Sequence, residues 1–239
     1  MKRYISVFEM IARSSIYKVL LVISTMVFAE GFCFFLSMLS GSETNFSEYI
    51  NQSQFPLIFK IAYVLVTIVI VLPGMNLGST QSYTLQRLRI KENCIYWLQV
   101  LYNFFAYILL WGIQLVMIFV CAFIFQTYLP EGMAWNNQML FFEFYRSAFM
   151  HSILPLEESI GWFMLLVVGV TTAMCTARFT KLQRQGKFAG ELLVLVAAVL
   201  LTFPRYLGVD PTFIVVVMIG ICIITAFGWA VRKFGGDWS

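Results

Sequence analysis

Two ionisable side chains lie within long apolar segments of this sequence, which makes them the first candidates for chemistry. Glu30 falls in the second half of the first apolar segment, and Lys60 lies near the start of the second. An unpaired charge at the centre of a bilayer costs about 2.5–3.5 kcal/mol on insertion scales. We therefore expect Glu30 to face a bundle interior or a wet cavity, or to be protonated. Lys60 can snorkel outward or reach toward Glu30.

Three roles are open for Glu30. It forms a structural ion pair or hydrogen bond, it lines the path of a cationic or amphipathic substrate, or it relays protons. A structural contact is the preferred interpretation. A relay is the weakest one, because no second acid lies deep within a predicted span to receive the proton.

Aromatic side chains of the third apolar segment are further candidates, although packing and lipid contact explain them more simply. The predicted substrate path consists of Glu30, Lys60, Tyr102 and Phe105. Catalytic and metal sites find no support, because the sequence lacks GxSxG and HExxH motifs and His151 is its only histidine. We expect no enzymatic activity, no cofactor and no nucleic-acid partner.

The distribution of charge predicts how the chain is placed in a membrane. Hydrophobic residues make up 60% of the sequence and charged residues 12%, where a soluble domain has about 25%. Short loops rich in Lys and Arg remain cytoplasmic. Thirteen of the 16 Lys and Arg residues fall in four short segments separated from acidic loops by apolar runs, namely Lys2 to Lys18, Arg87 to Lys91, Arg178 to Lys187 and Arg232 to Lys233. The pattern predicts an all-α, multi-pass membrane protein with six transmembrane helices and both termini cytoplasmic.

The chain reads as one transmembrane domain over residues 1–239, opened by an amphipathic interfacial helix at 1–16. The predicted spans are 17–39, 55–75, 95–128, 159–177, 190–206 and 211–231. The third exceeds the length that a perpendicular helix needs, so it should tilt or project. The outer segment 129–158 is apolar, and Phe142, Tyr145, Phe149 and Leu156 recur in it at helical spacing. We expect an outer helix that dips into the leaflet or caps a pathway, with Glu143 and Arg146 able to pair on its surface.

The cytoplasmic loop 76–94 alternates apolar and basic residues in its second half, which predicts a short amphipathic helix. An anchor against the membrane would look the same. With the interfacial helix and the six spans, its "TLQRLRI" segment resembles the membrane subunits of type-2 ABC transporters. In that family the loop forms the coupling helix that seats in the ATPase subunit. The resemblance assigns this role to Thr84, Leu85, Arg87, Leu88, Arg89 and Lys91.

The resemblance implies a permease subunit of an ATP-driven exporter in the bacterial plasma membrane. The chain has no phosphate-binding GxxxxGK[ST] loop. The implied partners are therefore two copies of a separate ABC ATPase subunit, a second permease subunit, identical or related, and the lipid bilayer. The substrate is expected to be amphipathic or a peptide. The alternative is a six-span accessory, immunity or sensor protein, or an unrecognised membrane enzyme, with no ATPase partner.

Overall fold

The computed structural model describes residues 2–40, 45–75, 92–128, 137–156 and 159–184. All regular structure in these ranges is helical. Four helices are long: α1 (Lys2–Ser40), α3 (Phe55–Met75), α4 (Glu92–Tyr128) and α7 (Ser159–Arg184). Three are short: α2 (Phe46–Gln52), α5 (Asn137–Arg146) and α6 (Ala148–Ile153).

The four long helices are long and apolar enough to cross a membrane. Large hydrophobic side chains cover their outer surfaces, as at Phe28, Phe123 and Leu166, which are at least 60% exposed. Polar side chains are buried between the helices instead, including Gln99, Asn103 and Thr172. A water-soluble protein rarely exposes an apolar surface of this extent. The fold is therefore that of an all-helical membrane protein.

Helices α1 and α7 both pack against α3 and α4, and α3 and α4 also touch each other. Helices α1 and α4 run parallel and in register along most of their length. The Ser15 hydroxyl bonds to Tyr102 OH at one level of this pair, and Gly31 faces Met117 at another. Helix α3 runs antiparallel to α1, and α7 runs antiparallel to α4. The bundle is thus built around one long parallel pair.

The starts of α1 and α4 and the ends of α3 and α7 lie at the same end of the bundle, which we call the basic end. Lys181 of α7 donates to Asn93 of α4 there, with an Nζ to Oδ1 distance of 3.3 Å. Seven of the nine described Lys and Arg residues lie in the halves of α1 and α7 that are nearer this end, namely Lys2, Arg3, Arg13, Lys18, Arg178, Lys181 and Arg184. Charge is therefore distributed asymmetrically along the bundle axis.

At the opposite end, α1 and α4 extend beyond α3 and α7, and the three short helices fill the ledge that this leaves. Phe46 of α2 packs against Phe125 of α4, and Phe144 of α5 packs against Phe119, both with ring centroids 5.5 Å apart. The indole N–H of Trp111 donates to the backbone oxygen of Ile153 at 3.0 Å. This hydrogen bond attaches the outer layer, formed by α2, α5 and α6, to α4.

Several sequence-based expectations need correction. Residues 2–16 are helical, but they continue into the first span without a break, since α1 contains no proline and its only glycine is Gly31. The outer segment is divided at Ser147, whose side chain accepts from Met150 N and caps α6. This division turns Phe142 and Tyr145 outward, and the buried face consists of Phe144, Phe149, Met150 and Ile153.

The expectation of a long third helix is met, because the 37 residues of α4 span about 55 Å, against about 30 Å for the hydrocarbon core. Helix α3 coincides with the second predicted span, and α7 continues seven residues beyond the fourth. The fifth and sixth predicted spans lie outside the described residues, as does the segment from Thr84 to Lys91.

Candidate functional site

A buried carboxyl group lies between α1 and α4. The side chain of Glu30 is fully buried, and the side chain of Gln114 on α4, also fully buried, lies beside it. The neighbouring Gly31 brings the two helices close, because a β-carbon added there would lie 3.3 Å from Met117 Cε. A glycine beside an acid thus places two polar side chains face to face in an apolar interface.

The polar atoms of this pair are not satisfied. Both carboxyl oxygens of Glu30 and both the Nε2 and Oε1 atoms of Gln114 are buried without a partner in hydrogen-bonding geometry. Buried polar atoms in native proteins are nearly always paired, so four orphaned atoms in one place are unusual. The thiol of Cys121, a free cysteine buried on the same helix as Gln114, is the ionisable group that interacts electrostatically with Glu30.

A second polar cluster, the hydroxyl network, connects α3, α4 and α7. Tyr63 OH donates to Thr172 Oγ1 at 2.7 Å, and Tyr107 OH lies 3.0 Å from Thr67 Oγ1. The two tyrosine rings stack with centroids 5.1 Å apart. One turn toward the basic end, Asn103 Nδ2 donates to Thr176 Oγ1 at 2.9 Å.

The threonines of the hydroxyl network also donate hydrogen bonds within their own helices. The Thr172 hydroxyl donates to the backbone oxygen of Val168, which leaves its lone pairs free to accept from Tyr63. Thr67 and Thr176 similarly donate to backbone oxygens four residues earlier. Such bonds between helices hold membrane bundles together, at about 0.6 kcal/mol each on average and about 1.7 kcal/mol at most.

The four residues of the predicted substrate path do not converge. Lys60 forms no ion pair with Glu30, because both carboxyl oxygens of Glu30 are buried without a polar partner. Tyr102 bonds to Ser15, about 22 Å from Glu30 along the helix axis. Phe105 is 55% exposed and points away from the interior. Of the four, only Glu30 occupies a position in the core that calls for a functional explanation.

The outer layer also differs from expectation. Glu143 and Arg146 both turn to α2 instead of pairing with each other. Glu143 Oε2 accepts from the backbone N–H of Ser47 at 2.7 Å, which places a carboxylate at the start of α2, and Arg146 lies 3.6 Å from Glu48. His151 packs edge-on against Tyr145. Among the described residues no group of three or more His, Cys, Asp or Glu side chains could hold a metal ion.

An apolar furrow follows the outer side of the α4–α7 contact. Its aromatic part has a volume of about 400 Å³ and is lined by residues that include Trp111, Trp162, Phe163 and Tyr107. A second hollow of about 490 Å³ continues toward the basic end, from Phe104 to Cys94. Such a surface can hold lipid chains or an apolar part of a substrate.

The sequence analysis overlooked Gln114 and the hydroxyl network, although a signal was present. On α4, Gln99 and Asn103 are four residues apart and Gln114 is eleven further, which places all three on one helical face. On α7, Thr172, Thr176 and Thr180 recur every four residues. Polar residues that repeat at helical spacing inside an apolar segment indicate a buried contact between helices.

Comparison with known proteins does not add to this description, since no protein family model, curated protein or solved structure matches the chain.

Proposed function

We propose that this chain is the membrane subunit of an ATP-driven ABC exporter in the bacterial plasma membrane. It would form half of the translocation pathway together with a second permease subunit, identical or related. Two copies of a separate ATPase subunit would supply the energy. The observation that carries the proposal is the basic end, at which the described helices collect most of their positive charge.

The proposed coupling segment, Thr84 to Lys91, would connect to the bundle at the same end. Helix α3 ends at Met75 and α4 begins at Glu92, so the helices that residues 76–91 join terminate there. The start of α1 and the end of α7 share this end, and Lys181 of α7 bonds to Asn93 beside the start of α4. A force applied to the coupling segment would therefore act directly on α3 and α4.

In this mechanism ATP binding closes the ATPase subunits, and the segment from Thr84 to Lys91 transmits the movement to α3 and α4. The two membrane halves then switch from an inward-open to an outward-open arrangement. The aromatic furrow between α4 and α7 and the apolar outer layer suit an amphipathic or peptide substrate.

The test is charge reversal in the coupling segment. We expect the double substitution Arg87→Glu and Arg89→Glu to abolish transport and to weaken recovery of the ATPase subunit with the purified chain. The control is Arg232→Glu with Lys233→Glu, which changes the net charge equally within another basic segment and should leave recovery unchanged. Equal behaviour of the two double variants, or a wild-type chain that recovers no ATPase subunit, would favour an accessory protein instead.

A further inference from the structure

The unpartnered atoms of Glu30 and Gln114 indicate which protonation state of Glu30 would let the two side chains satisfy each other. An ionised carboxylate only accepts hydrogen bonds, while a carboxamide has two N–H donors and one acceptor oxygen. Facing a carboxylate, Gln114 can donate from Nε2, but its Oε1 then has no donor. A neutral carboxyl group provides the missing O–H, so that two hydrogen bonds with Gln114 would engage all four atoms.

We propose that Glu30 and Gln114 form a proton-binding site in the interior of the bundle, in which the neutral Glu30 carboxyl donates to Gln114 Oε1 and accepts from Gln114 Nε2. The site takes a proton as its ligand and holds it in a closed pair of hydrogen bonds. It differs from a relay, because no second acid is needed. The proposal does not depend on the identification of the chain as an ABC permease.

Among the described residues, the helices packed against α1 place no cation beside Glu30 that would stabilise its ionised form. The helices packed against α1 are α2, α3 and α4, and Lys60 is their only Lys or Arg among the described residues. Lys60 lies at the surface of α3 and makes no ion pair with Glu30. The other ionisable side chains of these helices are Cys121, Cys94, Glu48, Glu92, Tyr49, Tyr63, Tyr96, Tyr102, Tyr107 and Tyr128. Of these, Cys121 interacts with Glu30, and an uncharged thiol offers no counter-charge.

The position of the site couples it to the contact between α1 and α4. Gly31 and Met117 close the interface beside the pair and keep water out of it. If α1 and α4 separate, water reaches Glu30, the carboxyl O–H bond breaks, the proton passes to a water molecule, and a hydrated carboxylate remains. Rejoining the helices requires a proton to return. Binding and release of the proton therefore accompany closing and opening of this interface.

Infrared difference spectroscopy of the full chain in lipid nanodiscs tests the proposal. The carbonyl stretch of a neutral carboxyl group is separate from the bands of a carboxylate. Subtracting the spectrum of Glu30→Gln from that of the wild type should leave one neutral-carboxyl band. The matched control is Glu143→Gln, which removes a carboxylate that accepts from Ser47 N, and it should remove carboxylate bands only.

A second variant tests the partner and guards against misfolding of the first. Gln114→Leu keeps Glu30 in place but removes the carboxamide, so the neutral-carboxyl band should persist and shift to the higher frequency of a carboxyl group without hydrogen bonds. Lys60→Gln should leave the band unchanged. The proposal is overturned if the Glu30→Gln difference contains carboxylate bands alone, or if Gln114→Leu leaves the neutral band where it was.

Discussion

The hydrogen bond from Tyr63 to Thr172 makes an asymmetric prediction. Tyr63→Phe removes a donor, and Thr172 keeps its own bond to the Val168 oxygen, so only one lone pair is left empty. Thr172→Val removes the acceptor and strands the Tyr63 hydroxyl in a fully buried position. Both single substitutions break the same hydrogen bond. Tyr63→Phe leaves an acceptor without a donor, whereas Thr172→Val leaves a buried donor without an acceptor.

The magnitudes follow from that difference. Tyr63→Phe should lower the free energy of unfolding by about 0.6 kcal/mol, the mean for a hydrogen bond between membrane helices. Thr172→Val should lower it by about 1–3 kcal/mol, the cost of a buried unsatisfied polar group. The double substitution replaces both groups by apolar ones of similar shape. The double variant should therefore be more stable than Thr172→Val alone, because Tyr63→Phe removes the hydroxyl that Thr172→Val leaves unsatisfied.

Unfolding by titration with SDS in mixed micelles measures all members of this double-mutant cycle. Thr127→Val is the control for the change from threonine to valine, because Thr127 is exposed and bonds only within its own helix. Its effect should stay within about 0.5 kcal/mol. Additive effects of Tyr63→Phe and Thr172→Val would refute the reasoning, because additivity means that the two hydroxyl groups do not interact.

Two further predictions concern packing, and both are measured by the same titration. Gly112→Ala should stabilise the chain by about 0.4–1 kcal/mol, since nothing lies within 4 Å of the added methyl group. Gly31→Ala should stabilise the chain less, or destabilise it, because its methyl group meets Met117 Cε. Phe149→Ala should cost about 3–5 kcal/mol, because Phe149 is fully buried, whereas Phe142→Ala at 75% exposure should change stability by less than about 0.5 kcal/mol. Equal effects within either pair would contradict the packing described.

The sequence predicted the helical class and the existence of the first four long helices well, because an apolar run long enough for a bilayer leaves few alternatives. It also drew attention to Glu30, since an acid in such a run is costly. It did not predict the partner of Glu30. The sequence alone does not show whether Lys60 or Gln114 lies next to Glu30. The parallel register of α1 and α4, which places Gln114 there, comes from tertiary packing.

The same limit explains the errors in the outer segment. Helical spacing within residues 139–158 predicted one continuous stripe, but Ser147 caps α6 and divides the segment into two helices. Glu143 and Arg146 are spaced to pair with each other, yet both contact the first turn of α2 instead. Local patterns give the candidates for contact, and long-range packing decides between them. The coupling residues Thr84 to Lys91 remain a prediction.

The parallel register of α1 and α4 has a mechanical consequence. The two helices touch through Ser15 and Tyr102 near the basic end and through Glu30 and Gln114 about 22 Å higher. Because each helix is continuous, an axial slip of one turn, about 5.4 Å, would break both contacts together. A displacement of α1 along its axis would therefore disturb the contact with Tyr102 and the buried carboxyl group together.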